Sequence, residues 1–239
     1  MALPDFNIND IRMKKIVILS GAGMSAESGI STFRDTDGLW NNYRIEEVAT
    51  PEGFAKNPGL VLEFYNQRRK ELLKVNPNPG HYGLVELEKN FDVQIITQNV
   101  DDLHERAGSS YVLHLHGELM KSCSVRNQKK VYDISLDHPE IHLGDTDSHG
   151  DQLRPFIVWF GEAVPMIEPA IRIVETADIF VIIGTSLNVY PAAGLLNYIR
   201  NGQPIYLIDP NEVKTYRTDI HIIRTGASEG VKQLIELLR

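Results

Sequence analysis

The chain has 239 residues, of which 24 are lysine or arginine and 32 are aspartate or glutamate, so its formal net charge is −8. This length is sufficient for one or two domains with a sizeable core, and a hydrophobic fraction of 42% argues against intrinsic disorder. The acidic balance argues against sequence-independent binding to nucleic acid and favours a positively charged protein partner.

Cys123 is the only cysteine, which excludes an intrachain disulfide and a four-cysteine zinc site. A single cysteine fits a reducing compartment, and we expect a cytoplasmic protein. The first residues, MALPDFNINDIRMKK, lack the apolar core of a signal peptide, and the longest apolar stretch, residues 179–187, is too short to span a bilayer. We therefore expect neither a signal peptide nor a membrane segment.

Short runs rich in β-branched residues alternate with helical patterns along the chain. Buried parallel strands are predicted at residues 15–20, 93–97, 111–115, 156–160, 179–183 and 205–208, with a weaker one at 221–224. Helices are predicted within residues 52–75, 80–89, 191–200 and 229–238. This alternation predicts an α/β fold, a doubly wound parallel Rossmann-like sheet with helices on both faces.

Two stretches interrupt the alternation of strands and helices. Residues 32–75 are longer than one crossover helix requires, and residues 121–154 are polar, rich in Asp and His and weakly periodic. We interpret both as insertions that form a small second lobe within a single domain over residues 1–239.

The first strand runs directly into the segment GAGMSA at residues 21–26. This fits the pattern G-x-G-x-x-A, which after a strand and before a helix is typical of dinucleotide binding. Glycines there let the backbone approach a pyrophosphate, whose charge lies at a helix N-terminus. A tight structural turn explains the pattern about as well.

The chain then departs from an ordinary dehydrogenase, in which a second strand and an acidic residue follow about 20 residues later. Instead, a loop contains Phe33, Arg34 and Trp40. These side chains beside a phosphate turn predict a lid over a cofactor, although a surface loop anchored by the tryptophan has the same composition. The departure argues against hydride transfer.

Polar side chains follow the next two predicted strands. Gln98, Asn99 and Asp101 lie just beyond residues 93–97, at the edge where open α/β sheets bind ligands. An ionised Asp101 only accepts hydrogen bonds, which suits a carboxamide such as that of nicotinamide; alternatively, Asn99 or Asp101 caps the following helix. Histidine is the usual general base near neutral pH, and its place at a strand end favours His116 over His114, which we assign to packing or to support of the site.

Together these segments resemble the sirtuins, a family of NAD-dependent protein-lysine deacylases. The matching motifs are GAGMSAESGISTFRDTDGLW, TQNVDDLHERAG, HLHGEL, RPFIVWFGE and GTSLNVYPA, which occur in family order over nearly the whole chain. The resemblance implies NAD as the cofactor, and it implies that NAD and an acylated lysine meet in the cleft between the sheet and the small lobe.

The resemblance also implies roles for individual residues. His116, as a general base on a ribose hydroxyl, and Asn99 would be catalytic. Backbone pairing with a substrate peptide is implied for Val158, Phe160 and Gly161, although this run is equally compatible with plain core. Contacts with NAD are implied for Gly21, Ala22, Gly23, Ala26, Glu27, Ile30, Phe33, Arg34, Trp40, Gln98, Asn99, Asp101, Gly184, Thr185, Ser186, Asp209 and Ala227. The carboxylate of Asp209 favours NAD over NADP, because it accepts ribose hydroxyls and repels a 2′-phosphate.

Tyr65 and Arg68 are spaced i, i+3 and therefore share one face of a predicted helix. The pattern YNQR resembles the sirtuin branch that removes malonyl, succinyl and glutaryl groups. An arginine binds a terminal carboxylate at two points, and a tyrosine hydroxyl adds a further hydrogen bond. The alternative is a solvated helix face, since Arg69 and Lys70 follow. Ala49 is small enough to leave room for a longer acyl chain.

Members of this family usually hold a zinc ion between two cysteine pairs in the small lobe, whereas this chain has only Cys123 there. His138, His142 and His149 lie nearby among aspartates, but their spacing matches no tetrahedral template. We therefore expect no zinc or other metal, and a lobe held by packing and hydrogen bonds.

The implied reaction transfers an acidic acyl group, or an acetyl group, from lysine to ADP-ribose and releases nicotinamide. The alternatives are an NAD-dependent ADP-ribosyltransferase or NAD hydrolase that uses the same pocket, and a non-catalytic module that binds acyl-lysine or a nucleotide. We expect acylated lysines of proteins as partners, no membrane or nucleic acid, and a monomer.

Overall fold

The structure, a computed structural model, describes residues 12–30 and 43–239. Its main sheet consists of β1 (Lys15–Ser20), β2 (Asp92–Thr97), β3 (Val112–His114), β7 (Ile179–Ile183), β8 (Ile205–Ile208) and β9 (Ile220–Ile223). All neighbouring strands are parallel, in the order β3-β2-β1-β7-β8-β9. The predicted doubly wound sheet is confirmed, and the chain order reverses between β1 and β7.

Helices cover both faces of this sheet. One face packs against α5 (Pro79–Leu87) and α8 (Ala227–Leu237), the other against α7 (Ile167–Val174) and a 3₁₀ helix (Ala192–Tyr198). Side chains alternate between the two clusters along β1, since Ile16 and Ile18 belong to one and Val17 and Leu19 to the other. This burial on both faces explains why the strand is apolar at nearly every position.

A second, antiparallel sheet forms the small lobe, in the order β5-β4-β6, from β4 (Gly117–Ser124), β5 (Val131–Asp133) and β6 (Leu153–Ile157). The parallel strand predicted at 156–160 is therefore wrong. Beyond β6, Val158 N donates to His116 O at 2.9 Å and Phe160 N donates to Ala49 O at 3.0 Å. These N–H groups therefore bond to neighbouring segments and not to a strand of the main sheet. A buried apolar run does not by itself distinguish a parallel from an antiparallel strand.

Three helices pack beside this sheet around a third apolar cluster: α2 (Ile45–Val48), α3 (Pro51–Lys56) and α4 (Pro58–Leu72). The helical pattern within 52–75 is thus two helices. Asn57 precedes a proline and leaves the helical conformation, with φ −145° and ψ 74°. Its side chain accepts the Leu60 N–H at 3.1 Å, which caps the first turn of α4.

The remaining elements differ from the predictions mainly at their ends. The strand predicted at 111–115 shortens to β3, the weak strand at 221–224 is the edge strand β9, and the helix expected at 191–200 is a 3₁₀ helix. Two short helices, α1 (Gly23–Ala26) and α6 (Leu103–Ala107), follow β1 and β2. No helix in the described parts of the chain combines the length and apolar character that a bilayer crossing requires.

Candidate active site

The site begins at the crevice between the carboxyl ends of β1 and β7. Two hydrogen bonds join the loops that follow these strands, from Gly21 N to Ile183 O at 2.9 Å and from Gly23 N to Gly184 O at 2.8 Å. A Cβ at Gly184 would lie 2.3 Å from Met24 N, and its φ is +62°. The structure therefore requires glycine at position 184 because the two loops approach each other too closely for a side chain. Such a crevice, where the chain order reverses, is the ligand site of open α/β sheets.

Ser25, Asn99 and Asp101 form a buried hydrogen-bonded group on the β2 side of the crevice. Asn99 Nδ2 donates to Gly21 O and to Ser25 Oγ, both at 3.1 Å, and Ser25 Oγ donates to Asp101 Oδ2 at 3.0 Å. Burial raises the pKa of Asp101, and its hydrogen bonds from the Leu103 N–H and Ser25 oppose that shift. Ser25 was not among the predicted site residues, because its only signal in the sequence is its place in the glycine turn.

Helix capping was the alternative role for Asn99 and Asp101, and it applies to Asp101 only. Its Oδ1 accepts the N–H of Leu103, the first residue of α6, at 3.2 Å. Asn99 instead directs its amide group towards Gly21 and Ser25. Its side-chain oxygen accepts no hydrogen bond from residues 12–30 or 43–239.

His114 and His116 differ in protonation, and their hydrogen bonds explain the difference. His114 Nδ1 lies 3.0 Å from Asn99 O and its Nε2 lies 2.7 Å from Glu105 Oε1, so both ring nitrogens donate. Burial lowers the pKa of His114, but Glu105 and the Asn99 carbonyl outweigh burial and raise it overall.

Within the described part of the chain His116 has one such partner, since its Nδ1 lies 3.0 Å from Gln98 O. The carbonyl can only accept, so Nδ1 carries a proton. Burial lowers the pKa of His116, against a smaller opposing effect of that hydrogen bond. The ring is therefore neutral near pH 7, with a lone pair on Nε2. Of the two histidines, only His116 is in a state that accepts a proton.

The other side of the crevice is formed by the ends of β7 and β8 and the start of α8. Gln98 Nε2 donates to Thr185 Oγ1 at 3.0 Å and so links the two sides. Asp209 is buried directly after β8, and Glu27 Oε1 accepts the Ser228 N–H at 3.2 Å. The other predicted NAD residues in the described chain follow β1 or β7 or begin α8: Ala22, Ala26, Ile30, Ser186 and Ala227. Three lie outside the described residues: Phe33, Arg34 and Trp40.

Tyr65 and Arg68 lie one turn apart on α4. Tyr65 is 1% exposed, and its Oη accepts a hydrogen bond from Trp159 Nε1 at 3.0 Å. The guanidinium carbon of Arg68 lies 5.8 Å from the centroid of the Tyr65 ring. Burial lowers the pKa of Arg68, while the charges of Tyr65, Asp101 and Glu71 oppose that shift. The pair therefore does not lie on a solvated face, and its arginine is within electrostatic reach of Asp101.

Asn66 and Arg69, at the same spacing, hold segment 139–141 of the small lobe to α4. Arg69 is fully buried, and its Nε donates to Pro139 O at 2.5 Å. Asn66 Nδ2 donates to Ile141 O at 3.0 Å, and Ile141 N donates to Asn66 Oδ1 at 2.9 Å. Arg69 Nη2 also donates to Asn66 Oδ1. Segment 139–141 is thus anchored by side chains of one helix.

Residues 158–161, the segment assigned to peptide binding, already use part of their backbone for hydrogen bonds within the protein. The N–H groups of Val158 and Phe160 donate to His116 O and Ala49 O, as described above. The Phe160 side chain is 47% exposed, and a Cβ at Gly161 would meet nothing within 4 Å. Access to an external peptide therefore remains at residues 160–161.

Among the described residues, no three His, Cys, Asp or Glu side chains form a group that could hold a metal ion. Cys123 is buried, and burial raises the pKa of its thiol to about 11. His142 Nε2 lies 3.0 Å from Glu140 Oε2, and His149 Nδ1 lies 3.0 Å from Lys130 Nζ. The absence of zinc stays a prediction.

Comparison with known proteins identifies the family. The model described as "Sir2 family" matches residues 21–191, more than half of the chain. The chain belongs to the Sir2 family. One relative of this Sir2-family protein, the NAD-dependent protein deacylase of Bacteroides thetaiotaomicron, is 63% identical over 230 residues, which cover 95% of this chain and 98% of the relative. The NAD-dependent protein deacylase of Helicobacter pylori is 58% identical over 227 residues, with coverage of 95% and 98%.

Solved structures of Sir2 homologues have the same fold. A Sir2 homologue–NAD complex superposes with a TM-score of 0.83 at 41% identity, covering 95% of this chain and 91% of that one. A mutant homologue in complex with 2′-O-acetyl ADP ribose has a TM-score of 0.85 at 40% identity, with coverage of 95% and 92%. The sirtuin resemblance and the predicted fold class are both confirmed.

Proposed function

We propose that this Sir2-family protein is an NAD-dependent protein-lysine deacylase that favours acyl groups ending in a carboxylate, such as succinyl, malonyl and glutaryl. Its relatives named NAD-dependent protein deacylase support the reaction class, and the NAD complex of a homologue supports the cofactor. The observation that carries the proposal is the neutral His116 beside the buried group of Ser25, Asn99 and Asp101. The alternative of a non-catalytic module does not account for that group.

The residues of the crevice fit NAD. The interlocked glycine loops leave a crevice at the strand ends, Asn99 has an acceptor oxygen available for a ribose hydroxyl, and Asp209 offers a carboxylate after β8. When NAD is bound, Asp101 and Ile30 would hold the nicotinamide, Gln98 and Asn99 would hold its ribose, and the loop after β7 would hold the adenosine side. NAD supplies a ribose carbon that becomes electrophilic as nicotinamide leaves, and a hydroxyl that receives the acyl group.

Each side chain then has a defined task. His116 Nε2 takes the proton of a ribose hydroxyl, while its Nδ1–H stays bonded to Gln98 O and fixes the ring orientation. Ser25 and the Gly21 carbonyl orient the Asn99 amide. Asp101 accepts hydrogen bonds from a carboxamide with the oxygens that Ser25 and Leu103 hold in place.

The acyl preference rests on α4. Arg68 is a cation near the Tyr65 ring and within electrostatic reach of Asp101, and an arginine binds a carboxylate at two points. An acetyl group has no charge to pair with it. A carboxylate at the end of a three- to five-carbon acyl chain satisfies both the guanidinium and the Tyr65 hydroxyl.

The general base is tested with His116→Ala, and His138→Ala on the exposed surface is the matched control. The His116 variant should lose at least about a hundredfold in turnover, the usual contribution of a general base, while the control keeps its activity. Products from acetyl-, succinyl- and glutaryl-lysine peptides with NAD are followed by mass spectrometry. Near-normal turnover in the His116 variant would reject the role. Nicotinamide release without any peptide would instead favour NAD hydrolysis.

The acyl preference is tested with Arg68→Met, and Arg172→Met on exposed α7 is the control. Loss of a charged, two-point hydrogen bond should lower kcat/KM for succinyl-lysine by roughly 10- to 100-fold. Deacetylation should change little, since that substrate has no carboxylate. Equal losses on both substrates would reject the carboxylate clamp.

The proposal extends to the setting of the reaction. The substrates are acylated lysines on other proteins, which are met in the cytoplasm by a monomer that binds neither membrane nor nucleic acid. The small lobe needs no zinc, because Asn66 and Arg69 hold segment 139–141 by hydrogen bonds. Exhaustive chelation should therefore leave the melting temperature unchanged, and metal analysis should find no stoichiometric zinc.

A further inference from the structure

We propose that Trp159 is a specificity-determining positioning residue, because its indole N–H holds the Tyr65 oxygen as an acceptor and leaves the Tyr65 proton for the carboxylate of an acidic acyl group. This inference rests on the acyl preference proposed above. Trp159 Nε1 lies 3.0 Å from Tyr65 Oη, and both side chains are buried. An indole N–H can only donate, so the direction of this hydrogen bond is certain.

The hydroxyl proton of Tyr65 is left for a ligand. Within residues 12–30 and 43–239, Tyr65 Oη donates no hydrogen bond. Burial raises the pKa of Tyr65, although the charge of Arg68 opposes the shift, so the hydroxyl keeps its proton near neutral pH. A phenolic O–H lies close to the plane of its ring. With the indole on one side of the oxygen, the proton is directed to the other side.

Trp159 is itself held firmly. The guanidinium carbon of Arg154 lies 3.4 Å from the centroid of the indole. Arg154 donates to both oxygens of Glu162, at 2.8 and 3.1 Å, and to Ile157 O at 2.7 Å. Glu162 Oε2 also accepts the Trp159 backbone N–H at 2.7 Å. The indole therefore cannot turn away from Tyr65 without disrupting a partly buried ion pair.

This arrangement distinguishes acidic from neutral acyl groups. A hydroxyl free to rotate could donate or accept, and would adapt to either kind of acyl group. With its oxygen already occupied, Tyr65 presents only a donor beside the cation of Arg68, and a carboxylate is the acceptor that matches both. A methyl group in the same place leaves a buried donor without a partner, which is unfavourable.

The test is Trp159→Phe, which keeps an aromatic ring and removes the donor together with part of the indole volume. We expect kcat/KM for succinyl-lysine to fall about fivefold, mainly through KM, with deacetylation nearly unchanged, since one net hydrogen bond is lost. Titration calorimetry of the succinyl and acetyl peptides without NAD should give the same selective loss of affinity. Phe54→Leu is the matched control, because Phe54 packs on Trp159 at 5.2 Å without a polar atom and should affect both substrates equally.

A double-mutant cycle with Tyr65→Phe isolates the mechanism. If Trp159 acts through the Tyr65 hydroxyl, adding Trp159→Phe to the Tyr65→Phe variant should cause no further loss of selectivity. The inference would be overturned if the losses of selectivity of the two single variants multiplied in the double variant. It would also be overturned if Trp159→Phe lowered activity on both substrates equally. Should the phenylalanine variant not fold, 3-benzothienylalanine at position 159 replaces the N–H by sulfur and retains the ring shape.

Failure of this inference is distinguishable from failure of the acyl preference. A wild-type enzyme that deacetylates as well as it desuccinylates rejects both. A wild-type enzyme with a clear preference for succinyl-lysine, whose Trp159→Phe variant keeps the same ratio of rates, rejects only the role of Trp159.

Discussion

Asn66→Ala should destabilise the protein strongly, because this side chain satisfies three buried groups. Asn66 is 1% exposed and is bonded to the N–H of Ile141 at 2.9 Å, to its carbonyl at 3.0 Å, and to the guanidinium of Arg69. Each buried polar group left without a partner costs about 1–3 kcal/mol, and more for a charged group. We therefore expect the free energy of unfolding to fall by roughly 3–6 kcal/mol, a large part of the 5–15 kcal/mol typical of a domain.

Urea unfolding followed by circular dichroism and tryptophan fluorescence measures this loss, provided that the slope m stays constant. In a chain of this size the loss corresponds to roughly 2–4 °C in melting temperature per kcal/mol. Gln67→Ala is the matched control, since within residues 12–30 and 43–239 Gln67 makes only an exposed contact with Glu63 at 3.1 Å. This variant should stay within about 0.5 kcal/mol of wild type. A loss below about 1 kcal/mol in Asn66→Ala would refute the anchoring role of this residue.

Three further predictions concern the site and the core. Because burial lowers the pKa of His116, kcat/KM should decline on acidification with an apparent pKa below 6.5, and an acid limb above pH 7 would contradict His116 as the base. Gly184→Ala should abolish NAD binding and lower stability, because its Cβ would lie 2.3 Å from Met24 N; Gly202→Ala, also at positive φ but with nothing within 4 Å, should cost only the backbone strain of about 1–2 kcal/mol. The Cys123 thiol, whose pKa burial raises to about 11, should react with a disulfide reagent only on unfolding, and rapid labelling of the native protein would contradict its burial.

The two histidines illustrate the limit of sequence reasoning at the site. The place of His116 at the end of a predicted strand indicated it as the candidate base. Its protonation state could not be read from that pattern. It depends on partners from another strand end and from α6. The Asn99 carbonyl and Glu105 each hold a proton on one nitrogen of His114, whereas His116 meets only the Gln98 carbonyl among residues 12–30 and 43–239.

The small lobe was the part of the fold least accessible from sequence. The run at 156–160 is apolar enough for a buried strand, but only its pairing with β4 made it antiparallel and ended it at Ile157. The break between α3 and α4 was readable in principle, because asparagine before proline is a known helix boundary. The contacts of Ser25 and Trp159 carried no such local signal.

The strands of the main sheet, the glycine turn and the family could be read from the sequence, because hydrophobic period and motif spacing are local properties of the chain. The contacts of adjacent residues depended on the folded structure. The spacing from Tyr65 indicated Arg68 in the sequence but gave no role to Arg69, and successive residues of a helix point about 100° apart. Arg68 therefore lies beside Tyr65 at the site, whereas Arg69 is buried against the carbonyls of Leu119 and Pro139, which come from segments some 50 and 70 residues away along the chain.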